Sequence, residues 1–110
     1  MPLVHIDLLE GRPPDYHAAI LEAVRAALVE SANVVHERIV QRIHEVGPEA
    51  LDVPPAKTER AIVIEVTMMD GRSPELKAAF FADVRQRLAE DPGIAPEDVY
   101  VTIGDKPHGD

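Results

Sequence analysis

Moving this chain along itself by 60 residues lays one half on the other without a gap. Gly11-Arg12 falls on Gly71-Arg72, Pro14 on Pro74, Ala18-Ala19 on Ala78-Ala79 and Val24-Arg25 on Val84-Arg85. Farther on, Leu28 meets Leu88, Glu37 meets Glu97 and Ile43 meets Ile103. A single register held that long restricts the chain to two copies of one supersecondary unit, each burying its apolar face against the other.

The unit itself reads as βαβ. Leu3 to Leu9 alternates, with Val4, Ile6 and Leu8 on one face and His5 and Asp7 on the other. Gly11-Arg12-Pro13-Pro14 ends that strand, and Pro14 and Asp15 suit the first turn of a helix. Tyr16, Ile20, Val24, Ala27 and Leu28 recur at helical spacing, and Asn33 can close the helix in a left-handed turn. The second copy repeats the plan, with Ser73 as N-cap, Pro74 in the first turn and Leu76, Phe80, Val84 and Leu88 along the helix. The expected strands are 2–9, 38–46, 61–69 and 98–104, and the expected helices 14–31 and 74–90. Repeat one therefore spans 2–46, a connector 47–60, repeat two 61–104 and a polar tail 105–110, all in one domain. The fold class is α+β, with a pseudo-twofold, a four-stranded mixed sheet and two helices on one face. Both strand faces carry apolar side chains, so the face without helices calls for a subunit partner. Because βαββαβ order also describes a ferredoxin-like domain, a non-catalytic ligand-binding module is an alternative.

Charge narrows the partners. Eleven Lys and Arg stand against 20 Asp and Glu, a net −9, which opposes nucleic acid or an anionic membrane surface but not a small anion in a locally basic pocket. The chain has no Cys, hence no thiolate chemistry, and no apolar run of membrane-spanning length. No signal peptide is read, so a cytoplasmic location is the expectation. His36-Glu37 and His44-Glu45 lie eight apart without a His-Glu-x-x-His pattern, so neither a metal nor another cofactor is expected.

The parallel strands of a βαβ unit start at one sheet edge, which brings Pro2 near Glu37-Arg38. The pseudo-twofold carries the end of the third strand, with Asp70 and Arg72, round to the same edge. A proline suits the first residue of a strand because it cannot donate to the ladder. Once Met1 is removed, Pro2 is also a secondary amine at a fixed place.

Those residues resemble the tautomerase superfamily, whose catalyst is an amino-terminal proline. The resemblance rests on Met1-Pro2-Leu3-Val4 running into a strand, Glu10-Gly11-Arg12 ending it, Asp70-Gly71-Arg72-Ser73 before a helix, and Gly93-Ile94-Ala95-Pro96-Glu97-Asp98-Val99-Tyr100-Val101. Two fused units point to the branch of malonate semialdehyde decarboxylase-like proteins, which form homotrimers. The resemblance implies an enzyme in which Pro2 is the general base for proton transfer on a small keto–enol or unsaturated oxo acid. It implies Arg72 as the substrate-binding arginine, with Arg38 and Asp70 beside it. Glu37 falls where the decarboxylases carry a water-activating aspartate, so a decarboxylase or hydratase of a three-carbon acid is the alternative reaction. Asp70 departs from the family, since an arginine stands there in those decarboxylases. Arg12, the repeat mate of Arg72, belongs to the edge where Ile62 replaces the proline and is expected to be structural.

Overall fold

The computed structural model describes residues 2–54, 57–68 and 73–105. Strand β1 (Leu3–Leu9) leads to helix α1 (Pro14–Ala32) and strand β2 (Val40–Val46). Strand β3 (Ile62–Met68), helix α2 (Pro74–Glu90) and strand β4 (Val99–Asp105) repeat that plan. Short 3-10 turns occupy His36–Arg38, Pro48–Ala50 and Pro96–Asp98.

The helix ends follow from local chemistry, and they repeat. Both helices start on a proline, whose missing N–H costs nothing in the first turn. Ser73 adds a cap by accepting the Leu76 N–H at 3.2 Å, which Pro13 at the equivalent position cannot do. Helix α1 stops at Asn33, held at φ 57° and ψ 38°, and the next residue's N–H reaches back to the Leu28 carbonyl at 3.1 Å. In the second copy Gly93 takes the left-handed position at φ 99°, and the Ile94 N–H returns to the Leu88 carbonyl at 2.8 Å.

The sheet order is β2-β1-β3-β4, with β1 parallel to β2, β3 parallel to β4, and β1 antiparallel to β3. Leu3 pairs with Val40 in the first copy and Val63 with Tyr100 in the second, so the two parallel registers are equivalent. A ferredoxin-like split βαβ would insert a strand between β1 and β2, and here they are direct neighbours.

Alternation decides which side is core. Val4, Ile6 and Leu8 of β1 and Ile62, Ile64 and Val66 of β3 are buried under Ile20, Val24 and Leu28 of α1 and Phe80, Val84 and Leu88 of α2. Each such aliphatic side chain contributes about 1.5–3 kcal/mol on burial, enough in sum to fix the register, because a one-residue slip would turn every one of them outward. The other face carries Leu3, His5 and Asp7 of β1, Val40, Arg42 and His44 of β2, and Val63, Glu65 and Thr67 of β3. There Leu3 is 40% and Val40 48% exposed, an apolar pair open at one edge of the bare face.

The strand bounds move slightly from those read in the sequence. The second strand begins at Val40, not at residue 38, because His36–Arg38 winds into a 3-10 turn matching Pro96–Asp98 sixty residues on. Residue 69, the expected end of the third strand, lies outside the described residues.

The connector is fastened to the second copy. Asp98 is 3% exposed and accepts the Thr58 hydroxyl at 2.6 Å and the Thr58 N–H at 3.1 Å. The Thr58 hydroxyl holds the Asp98 carboxyl below its usual range against the opposing effect of burial, helped by the Thr58 N–H and Lys57. A carboxyl whose folded pKa is depressed stabilises the fold above its unfolded pKa, near 3.8, and that stability is lost as pH falls through the folded value. Asp98→Ala should therefore cost about 1–3 kcal/mol at neutral pH, measured by urea unfolding. Asp98→Asn should flatten the acid limb of the stability profile below about pH 4.

Candidate functional site

The edge at which β1 begins and β3 ends collects the candidate residues. Pro2 is buried, and its carbonyl accepts the Val40 N–H at 3.1 Å, which ties it to the start of β2. Leu3 pairs with both Val40 and Thr67, so β3 arrives at the same edge. Glu37 and Arg38 lie in the 3-10 turn just before β2, two or three residues from the bond to Pro2. This is the juxtaposition expected from a βαβ crossover.

The turn is held from the helix. Arg25 of α1 donates to the His36 carbonyl at 2.7 Å and to the Ile39 carbonyl at 3.2 Å, bracketing Glu37 and Arg38 between two fixed points. Its repeat mate Arg85 donates to the Val99 carbonyl at 3.2 Å. Reading the sequence for functional groups passed over Arg25. The signal was present, since Val24-Arg25 and Val84-Arg85 coincide in the repeat.

The two equivalent turns face different tasks. Position 38 is an exposed arginine, and its mate sixty residues on is the buried Asp98 that grips the connector. Glu37 is 82% exposed, with its carboxylate 3.8 Å from the His36 imidazole, a surface pair of little energetic weight. Arg38 is exposed and makes no side-chain hydrogen bond among the described residues. Asp70 and Arg72, the other expected substrate-binding residues, lie outside the described residues.

At the opposite edge Arg12 donates to the Glu59 carbonyl at 3.4 Å and lies 5.5 Å from the centre of the Tyr16 ring. Arg60 lies 5.8 Å from the centre of the same ring. These contacts tie the end of β1 to the connector, a packing role.

Among the described residues one group has donor atoms close enough to share a cation: His5, Asp7 and His44, on the bare face of the sheet. The sequence reading tested His44 only against His36 along its own strand, and so missed partners supplied by β1. No helix among the described residues is long and apolar enough to cross a membrane.

Two family models, both described as tautomerase enzyme, match residues 2–57 and 38–110. The chain is 28% identical over 115 residues to the probable tautomerase YrdN of Bacillus subtilis (strain 168), covering 100% of this chain and 88% of the relative. It resembles the crystal structure of FG41 malonate semialdehyde decarboxylase inhibited by 3-bromopropiolate, with TM-score 0.87, 28% identity and coverage of 96% and 83%. It also resembles a wild-type fused 4-OT symmetric trimer, with TM-score 0.85, 25% identity and coverage of 98% and 88%.

Replacing Arg25 with Met keeps the aliphatic stem and removes both bonds to the turn. Stability should fall by about 1–3 kcal/mol, measured by denaturant unfolding, with Arg85→Met costing less because it makes a single such bond among the described residues.

Proposed function

Since this chain belongs to the tautomerase family, we propose that Pro2, freed by removal of Met1, is the general base of an enzyme that moves protons in a small keto–enol or unsaturated oxo acid. The observation that carries this reading is the position of Pro2. It is buried at the start of the first strand, bonded to the start of the second, and lies at the sheet edge shared with Glu37 and Arg38. The first family match also starts at residue 2.

A free α-amine titrates near about 7.7–8.0, and burial beside cationic groups lowers that value, leaving a neutral amine near physiological pH. Such an amine takes a proton from the carbon beside a carbonyl and returns it at the other end of the enol or dienol. The electron pair of the broken C–H bond moves into the enolate, whose charge the guanidinium group of Arg38 helps stabilise. Arg72 binds the substrate carboxylate through paired hydrogen bonds, with Asp70 beside it. The substrate is a small organic acid and the location cytoplasmic.

Glu37 supports a second reading. Its exposed carboxylate could activate water for a decarboxylase or hydratase reaction on a three-carbon acid, and the 28% identity to a malonate semialdehyde decarboxylase favours testing it.

The bare sheet face and the exposed Leu3 and Val40 support a homotrimer, as in the fused 4-OT relative.

The test begins with intact mass, to establish that the protein starts at Pro2, followed by enol–keto conversion of an arylpyruvate. Pro2→Ala should remove most of the rate, and Arg72→Ala should mainly raise KM. Full activity in Pro2→Ala, or in protein that retains Met1, would make the proline a strand start only. Glu37→Gln should spare tautomerisation and abolish any hydration or decarboxylation. Light scattering at micromolar concentration should give the mass of three chains, and a stable monomer would refute the assembly.

A further inference from the structure

We propose that His5, Asp7 and His44 form a binding site for a divalent first-row transition metal ion on the bare face of the sheet, with Asp7 and His44 each four residues along β1 and β2 from Leu3 and Val40, the exposed pair offered to a subunit partner. The parallel register sets Asp7 directly beside His44, and His5 follows two residues earlier on the same face of β1. His5 Nε2 and His44 Nδ1 each lie 3.7 Å from the same Asp7 oxygen, Oδ1. All three ligand atoms fall within 4.8 Å of one another.

Those separations are too long for hydrogen bonds. The two 3.7 Å separations are close to the edge of a tetrahedron around zinc, about 3.4 Å for metal–ligand bonds near 2.1 Å, and a side-chain adjustment that draws His5 and His44 together closes the set. Two imidazoles and one carboxylate suit zinc, iron, cobalt, nickel or copper in the divalent state, and three protein ligands leave a coordination position open. The rings of His5 and His44 lie 6.4 Å apart at 26°, on the same side of the sheet.

The surroundings fit a cation that carries an anionic co-ligand. The chain's net charge of −9 favours a cation overall, and Glu65 stands directly across from His5 on β3. Arg42, the partner of His5 on β2, opposes a bare cation locally. With His5 and His44 it lines a cavity of about 350 Å³, large enough for a small anion at the open metal position.

The site also breaks the molecule's own symmetry. The mates of His5, Asp7 and His44 in the second copy are Glu65, Thr67 and Gly104, which cannot make a comparable set. Nothing in the shared architecture of the repeat therefore calls for the cluster.

The test is calorimetric titration of metal-free protein with Zn²⁺, alongside the visible spectrum with Co²⁺. One ion per chain should bind, with micromolar Kd and a raised melting temperature. His44→Ala and Asp7→Asn should each weaken binding by roughly tenfold or more. His36→Ala should leave it unchanged. His44 is 69% exposed, so its removal should keep the circular dichroism spectrum of the wild type. No saturable binding, binding that survives both ligand variants, or binding lost with His36 would overturn the proposal.

Discussion

Everything else in this molecule hangs on the antiparallel pairing of β1 with β3. These strands run from Leu3 opposite Thr67 to Leu8 opposite Ile62, and at their centre His5 faces its own repeat mate, Glu65. The pseudo-twofold axis therefore passes between those two residues. Each βαβ unit alone would leave one side of its inner strand without ladder partners and half of its apolar face in water. Joined along this seam, the two copies make a continuous sheet broad enough for two helices. Helix α1 contacts α2 directly, and Ser31 of one donates to the Asp83 carboxylate of the other at 2.6 Å.

The symmetry that builds the fold also shows where its two edges part. Equivalent arginines, Arg25 and Arg85, fasten equivalent turns by donating to backbone carbonyls. What the turns then present differs. Asp98 is buried around Thr58, while Arg38 stays at the surface near Pro2. One edge is used to hold the connector, and at the other the exposed Arg38 makes no side-chain hydrogen bond among the described residues. The contrast needs no assumption about chemistry, because it is between two positions sixty residues apart with the same backbone.

Most of the fold was legible in the sequence because the repeat, the alternation and the breakers agreed. Pro14 and Pro74 gave both helix starts, and Asn33 marked a left-handed stop that the structure repeats at Gly93. The 3-10 turn at His36–Arg38 was hidden, since Val35-His36-Glu37-Arg38 contains no breaker and looks like a strand running in. Its mate at Pro96-Glu97-Asp98 opens with a proline, so carrying that signal back through the repeat would have revealed it. Arg25 was missed because it acts on backbone carbonyls, which have no sequence signature. The His5, Asp7 and His44 cluster was missed because it depends on the exact offset between neighbouring strands, and an error of one residue there would put His44 on the other face. The arrangement of Pro2 with Glu37 and Arg38 followed from topology alone, which tolerates such errors.

The connector has a consequence for how such a chain can diversify. Residues 47–60 feed directly into the third strand, so the nitrogen of Ile62 is an amide and has no basic lone pair. Fusing two units thus retires one of the two equivalent edges from amine chemistry permanently, whatever residue stands there. Retirement loosens the demands on that edge: Arg12, Tyr16 and Arg60 can stack, and Asp98 can be buried, without any conflict with a substrate. Linking two copies in one chain leaves one edge that can present a free amine and one that cannot.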